Sequence, residues 1–124
     1  MSTQAAPLNR VMLVEDDTDI RTVASMALEM VGGMQVRACA SGEEALAAVA
    51  EFAPQLIVLD VMMPGMNGPE VLAQLRARAD TAAVPVLFLT AKAQPDEIAR
   101  LRDLGAIDVL AKPFDPMTLA DTVR

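Results

Sequence analysis

Residues 56–68 read LIVLDVMMPGMNG, and this stretch decides the fold. It opens with four apolar residues, reaches a carboxylate at Asp60, and continues through Pro64, Gly65 and Gly68. A short apolar run of this kind is typical of a strand buried on both faces of a sheet. Proline and glycine after such a run are typical of a turn. The stretch therefore predicts a buried strand that delivers Asp60 to the edge of a sheet.

Four further apolar runs extend this pattern along the chain. They are Val11–Val14, Met34–Cys39, Val86–Leu89 and Ile107–Leu110. Helical spacing of apolar residues separates the runs, and helix boundary signals flank them. The signals are Gly32-Gly33 after the first helix, Ser41 with Glu44 as a capping box, Pro54 after the second helix, Pro95 and Gly105 around the fourth, and Asp115-Pro116 before a fifth. Alternating strands and helices predict a parallel sheet with helices on both faces.

Length and composition restrict the possible functions. The 124 residues suit one domain, which we expect over 10–124 after a short tail at 1–9. The net charge of −7 argues against direct nucleic-acid binding. The chain has no histidine and one cysteine, which excludes histidine-based chemistry and an intrachain disulfide. No apolar run has the length of a signal peptide or membrane span, so we expect a cytoplasmic protein without membrane contact.

Polar residues follow four of the five runs. Glu15, Asp16 and Asp17 follow the first, and Asp60, Thr90 and Lys112 follow the third, fourth and fifth. Parallel sheets bind ligands at the carboxyl ends of their strands. Clustered carboxylates repel one another unless a cation joins them, and hard oxygen ligands favour Mg²⁺ or Ca²⁺. Taken singly, each residue is also compatible with a helix cap or a solvated side chain.

The chain resembles the receiver domains of two-component response regulators over about residues 10–124. The matching motifs are VMLVEDD at 11–17, LIVLDVMMPGMNG at 56–68, VLFLTA at 86–91 and GAIDVLAKPF at 105–114. The resemblance implies a flavodoxin-like (βα)5 fold with strand order 2-1-3-4-5, an order for which a chemotaxis receiver is a standard example.

The resemblance also implies a role for each residue of the site. Asp60 matches the phosphoacceptor. Mg²⁺, with Mn²⁺ as a possible substitute, would be held by Glu15, Asp16, Asp60 and the backbone carbonyl of Met62. Thr90 and Lys112 match the hydroxyl and ammonium that contact the phosphoryl group. Ala91 begins the loop that follows Thr90, and Lys112–Pro113 matches a bond that is usually cis. Asp17 falls outside the acidic pair, so we expect it to cap a helix.

In function, the resemblance implies a signalling switch rather than an enzyme with turnover. A sensor histidine kinase or histidine phosphotransfer protein would donate the phosphoryl group, and a conformational change would control an output domain or target. The protein would catalyse only its own phosphorylation and slow dephosphorylation. One position departs from the family, because Val109 stands where a switching aromatic residue is usual. A binding adaptor that is never phosphorylated is therefore the main alternative.

Two other classes agree less well with the sequence. Phosphohydrolases that form an aspartyl phosphate need a second carboxylate two residues after the nucleophile, and Met62 occupies that position. A flavin carrier needs a phosphate-binding loop after the first strand, where residues 15–17 are acidic and would repel phosphate.

Overall fold

The computed structural model describes residues 9–31 and 33–112. Its strands are β1 (Arg10–Val14), β2 (Gln35–Cys39), β3 (Leu56–Asp60), β4 (Val86–Thr90) and β5 (Asp108–Ala111). Its helices are α1 (Thr18–Met26), α2 (Gly42–Phe52), α3 (Gly68–Ala77) and α4 (Pro95–Asp103), and a π-helical segment, Ala27–Val31, continues α1. Pro113 and the predicted fifth helix lie outside the described residues. No helix in the described ranges has the length and apolar character needed to cross a membrane.

The strands form one parallel sheet in the order β2-β1-β3-β4-β5. This confirms the predicted flavodoxin-like topology. The strand before Asp60, β3, was predicted to be buried on both faces, and all five of its residues are buried, as are all five of β4 and four of the five of β1. The edge strands β2 and β5 are more exposed.

Alternate residues of the central strands face opposite layers. Met12, Ile57 and Phe88 belong to a core cluster that also contains residues of α2, α3 and α4. Val11, Val58 and Leu87 belong to a second cluster, which contains Ala24 and Leu28 from α1 and the π-helical segment. Helices therefore cover both faces of the sheet, and the period-two alternation of strand side chains assigns each residue to one layer.

Among the described residues, side chains cap three of the four α-helices. Asp17 accepts from the Ile20 N–H at 3.0 Å and begins α1, as expected. Ser41 accepts from the Glu44 N–H at 3.1 Å and begins α2. Glu44, however, accepts from the Ala40 N–H, so the predicted capping box is incomplete. The complete capping box is at α3, where Asn67 and Glu70 each accept from the other's backbone N–H.

Several boundaries differ slightly from the sequence prediction. β2 begins at Gln35 rather than Met34, and β5 covers Asp108–Ala111 rather than 107–110. Asp60 and Thr90 are the last residues of their strands rather than the first residues beyond them. The π-helical segment was also not predicted, because its apolar spacing resembles that of an α-helix. These shifts leave every site residue at the same edge of the sheet.

Candidate functional site

The strand register aligns the polar residues at the edge of the sheet where the strands end, here called the carboxyl edge. Val14 of β1 is level with Leu59 of β3, so Glu15 follows beside Asp60. Thr90 of β4 is level with Ala111 of β5, and Lys112 follows directly. The backbone N–H of Lys112 donates to the Thr90 carbonyl at 2.7 Å. Residues distant in sequence thus meet because parallel strands end at a common edge.

Three carboxylates form the centre of this site. Glu15, Asp16 and Asp60 each place one carboxylate oxygen within 4.8 Å of the others. Glu15 and Asp60 are buried, with 0% and 2% of their surface exposed, whereas Asp16 is exposed. Two buried carboxylates at this separation repel each other, and a cation or a proton would relieve that repulsion.

Lys112 bridges the two buried carboxylates. Its Nζ lies 2.8 Å from Glu15 Oε1 and 3.0 Å from Asp60 Oδ1. These contacts raise the pKa of Lys112 although burial opposes them, so the ammonium stays charged. Because one ammonium faces three carboxylates, the cluster has a net charge of −2 when all four groups are ionised.

Burial and the neighbouring charges all act on the Asp60 carboxylate. Burial raises its pKa from 3.8 to about 7, Lys112 opposes the shift, and the Glu15 carboxylate adds to it. Asp60 is therefore a candidate functional residue, because both burial and a neighbouring negative charge act on the same carboxylate.

The donor set fits a divalent cation of the Mg²⁺ type. The carboxylate oxygens are hard ligands, the excess charge of the cluster is matched by a divalent ion, and Asp16 leaves one side open to solvent. The Met62 side chain is 63% exposed two residues beyond Asp60, and the role of its backbone carbonyl as a ligand remains a prediction.

Thr90 connects the site to the loop that begins at Ala91. The Thr90 side chain is buried, and its Oγ1 accepts from the Lys92 N–H at 3.0 Å. The same hydroxyl lies 3.4 Å from the Lys92 carbonyl, to which it donates. Any rotation of the Thr90 side chain would therefore release the backbone of Lys92.

The loop after Asp60 packs closely on strand β3 through Gly68. The Gly68 N–H donates to the Val61 carbonyl at 2.9 Å. A Cβ at Gly68 would lie 2.6 Å from the Asp60 carbonyl oxygen, 2.9 Å from Val61 Cα and 3.0 Å from the Phe88 ring. The two backbone separations are shorter than the distances at which Cβ atoms contact other atoms in proteins, so only glycine fits at position 68. Gly65 has φ +74, which favours glycine for conformational reasons.

Val109 is half-buried and packs against the same core cluster as Phe88, with which it is level in the sheet. Phe88 is fully buried, as expected for a core residue. The position of the usual switching aromatic is thus filled by a small side chain next to a fixed ring.

The structure brings together Glu15, Asp16, Asp60 and Lys112, as predicted, with Thr90 on the adjacent strand. Gly68 was expected in the turn that passes close to Asp60, and its backbone does lie against that of Asp60 and Val61. One participant was missed. Arg21 donates to the carbonyls of Glu15 and Asp16, and its position four residues after the cap Asp17 was the available signal.

Comparison with known proteins agrees with this geometry. The family described as response regulator receiver domain matches residues 11–124. This chain belongs to the response regulator receiver domain family. Among relatives, the DNA-binding response regulator MtrA of Mycobacterium tuberculosis is 36% identical over 115 residues, which are 93% of this chain and 49% of MtrA. Regulatory protein VanRB of Enterococcus faecalis is 42% identical over 116 residues, 93% of this chain and 50% of VanRB.

The solved structures that resemble the receiver domain include a chemotaxis response regulator, CheY4 of Vibrio cholerae. It has a TM-score of 0.86 and 34% identity, covering 94% of this chain and 96% of CheY4. The BeF3-activated DrrB receiver domain has a TM-score of 0.79 and 29% identity, covering 94% of each chain. The chain spans about half the length of the curated relatives named above.

Proposed function

We propose that the receiver domain accepts a phosphoryl group on Asp60 in a Mg²⁺-dependent reaction and signals through the loop after Thr90. The donor would be a phosphohistidine on a sensor histidine kinase or a phosphotransfer protein. The observation that carries this proposal is Lys112 Nζ lying between Glu15 Oε1 and Asp60 Oδ1, in a cluster of three carboxylates. Such a cluster has the charge to hold a divalent cation and the ammonium to neutralise a phosphoryl oxygen.

The reaction follows from the position of Asp60. A carboxylate oxygen of Asp60 attacks phosphorus, and the new P–O bond forms as the P–N bond of the phosphohistidine breaks. The leaving nitrogen takes the P–N electron pair, and the imidazole leaves as a neutral group because its other ring nitrogen already carries a proton. Bound Mg²⁺ would neutralise charge on the transferring group and on Asp60, held by Glu15, Asp16 and Asp60. Lys112, within 3.0 Å of both buried carboxylates, can turn one of these contacts towards a phosphoryl oxygen.

Thr90 supplies the link from chemistry to conformation. A hydrogen bond from its hydroxyl to a phosphoryl oxygen would break the 3.0 Å bond from the Lys92 N–H. The residues after Lys92 would be free to follow, because Gln94 at the start of α4 makes no side-chain capping bond. New acceptor oxygens would thus favour a second arrangement of this loop.

The relatives suggest where the signal goes. MtrA is named as a DNA-binding response regulator, and it is about twice as long as this chain. We propose that the receiver acts on an output domain or partner protein, and that its own acidic surface takes no direct part in nucleic-acid binding. We also propose that it resides in the cytoplasm, where kinases of this class phosphorylate their receivers.

Acetyl phosphate labelling tests the proposal. With Mg²⁺, the protein should gain one acid-labile phosphoryl group, seen as a single mass increment, and Asp60→Asn should abolish it. Thr90→Ala should still be labelled but should lose the accompanying amide shift changes beyond Ala91. Asp80→Asn, which removes an exposed carboxylate far from the site, is the matched control. Undiminished labelling of Asp60→Asn would place the acceptor elsewhere.

The binding adaptor remains the competing function. The departure at Val109 favours it, whereas the complete acidic cluster and Lys112 disfavour it. The two functions give opposite results in the labelling experiment, since an adaptor would gain no mass with either Mg²⁺ or Mn²⁺ present.

A further inference from the structure

Arg21 holds the loop that carries two of the site's carboxylates. From the first turns of α1, its Nη1 donates to the Glu15 carbonyl at 2.8 Å and to the Asp16 carbonyl at 3.3 Å. Its Nη2 lies 3.5 Å from Thr18 Oγ1. The side chain is half-buried, which favours a fixed guanidinium over a freely moving one.

The hydrogen-bond partners of Arg21 are unexpected, because the Glu15 and Asp16 carboxylates are close by. In the described part of the chain, the hydrogen bonds of the Arg21 guanidinium go to carbonyl and hydroxyl oxygens, and none goes to a carboxylate. A guanidinium bound to Glu15 or Asp16 in the bidentate manner would occupy the oxygens that a cation needs. Bonds to the carbonyls instead restrain the backbone of both residues and leave their carboxylate oxygens available.

A second contact restrains the same loop from the other side. The Asp17 N–H donates to Glu15 Oε2 at 3.1 Å, while Asp17 itself caps α1. The Glu15 side chain is thereby oriented, and Arg21 fixes the peptide units on either side of Asp16. Preorganised ligands lose less conformational freedom when they bind a metal.

We propose that Arg21 is a positioning residue for the metal site, which sets the orientation of the Glu15 and Asp16 carboxylates through their backbone carbonyls. This inference rests on the proposed Mg²⁺-dependent function and adds a residue to it. Arg21 touches neither the acceptor nor the phosphoryl group in this scheme. Its effect is on the affinity of the loop for the cation.

Positioning and simple charge predict opposite effects of removing Arg21. A cation next to an acidic site repels Mg²⁺, so loss of its charge alone should strengthen Mg²⁺ binding. Loss of a positioning contact should weaken binding despite the favourable change in charge. The Arg21→Lys variant distinguishes the positioning effect from the charge effect further. It keeps the positive charge but lacks the planar guanidinium that spans two carbonyls.

The experiment is a Mg²⁺ titration of the full chain, followed by backbone amide shifts at residues 15–18. Arg21→Met should bind Mg²⁺ about tenfold more weakly, the lower end of the effect of losing an outer-sphere partner. Arg21→Lys should fall between Arg21→Met and the parent protein. Arg78→Met is the matched control, because Arg78 is also half-buried and donates to a backbone carbonyl, that of Leu46 at 3.0 Å, away from the site.

A second measurement links this effect to phosphorylation. The labelling rate of Arg21→Met with acetyl phosphate should fall at low Mg²⁺ and recover when Mg²⁺ is saturating. If Arg21→Met does not fold, Arg21→Lys carries both measurements.

Each result decides between the proposals. Parent-like or tighter Mg²⁺ binding by the Arg21 variants would overturn the positioning role while leaving the proposed function intact. An equal loss of affinity in Arg78→Met would also overturn it, since the effect would then be one of general stability. Failure of the parent protein to bind Mg²⁺ would overturn the proposed function and this inference together.

Discussion

At the carboxyl edge of the sheet, three carboxylates lie together, and the Lys112 ammonium contacts two of them. At the opposite edge, where the strands begin, charged groups are paired one to one or bonded to neutral carbonyls: Arg102 pairs with Asp108, the first residue of β5, at 2.8 Å, and two other arginines donate to carbonyls. Arg76 donates to the carbonyl of Val84 at 2.8 Å, and also to those of Thr81 at 3.5 Å and Gly105 at 3.4 Å. Arg10 donates to the carbonyl of Ala53 at 2.9 Å.

The two edges differ in how far their polar groups have hydrogen-bond partners and balanced charges. Arginines bonded to carbonyls supply these part-buried and exposed acceptors with a hydrogen-bond donor. Carboxylates packed together, by contrast, are destabilised until a cation or proton arrives. The contacts at the amino edge therefore stabilise the fold, whereas the carboxylates at the carboxyl edge are stabilised by a cation or proton. The following variants test this difference.

The largest effect should come from Gly68→Ala, at the carboxyl edge. A Cβ there would lie 2.6 Å from the Asp60 carbonyl oxygen, so β3 or α3 must move. We expect a loss of about 3 kcal/mol in the free energy of unfolding, measured with urea, and reduced phosphoryl labelling. Gly42→Ala is the control, because its Cβ would meet the Val71 side chain at 2.5 Å and should cost stability without reducing labelling. If Gly68→Ala is destabilised but is labelled like the parent protein, the Gly68 contact stabilises the fold without supporting the site.

The next largest loss in the free energy of unfolding should come from Arg76→Met, at the amino edge. It leaves the Val84, Thr81 and Gly105 carbonyls without their guanidinium donor, at a cost of about 2 kcal/mol. Mg²⁺ affinity and phosphoryl labelling should stay at parental levels, as measured by titration and mass. A substantial loss of Mg²⁺ affinity would mean that the two edges are not independent.

A further effect should appear in how the stability of the metal-free protein depends on pH. The pKa of Asp60 is about 7 in the folded protein and near 3.8 when unfolded, so the folded state holds the extra proton between these values. Stability should therefore fall as pH rises from about 4 to 7. Asp60→Asn should flatten this part of the curve and stabilise the metal-free protein at pH 8.

Mg²⁺ gives the complementary measurement. Because it binds ionised carboxylates, millimolar Mg²⁺ should raise the unfolding midpoint more at pH 8 than at pH 5. Asp16→Asn should weaken this response. Equal midpoint shifts with Mg²⁺ and with NaCl of matched ionic strength would contradict a metal site at this edge.

The smallest effect concerns how far a signal travels from the carboxyl edge. Val109 is a stiff β-branched side chain next to the fully buried Phe88 ring, so it offers little apolar area to move. Phosphorylation, or a beryllofluoride mimic, should shift the amide signals near Asp60 and Thr90 strongly and those of 97–104 weakly. Equally large changes along 97–104 would show that a full switch works without the aromatic residue.

The sequence by itself determined the fold class and most of the site. The apolar run before Asp60 indicated a strand covered on both faces, because such a strand needs apolar side chains in both directions. The order of the strands followed from the resemblance to receiver domains. Asp60, Thr90 and Lys112 follow or end such runs, and parallel topology alone brings them to one edge. Local capping at Asp17 was also predictable, since it depends on neighbours in sequence.

Only the tertiary structure decided the features that depend on distances between distant segments. The Lys112 bridge from Glu15 to Asp60, the raised pKa of Asp60 and the distances between Gly68 and the Asp60 backbone each require atoms from different elements. The partners of Arg21 also depended on the folded loop, because a charged side chain near carboxylates would be expected to pair with them. Residue type and spacing specify which groups reach an edge, whereas packing determines which atoms touch and how strongly their charges interact.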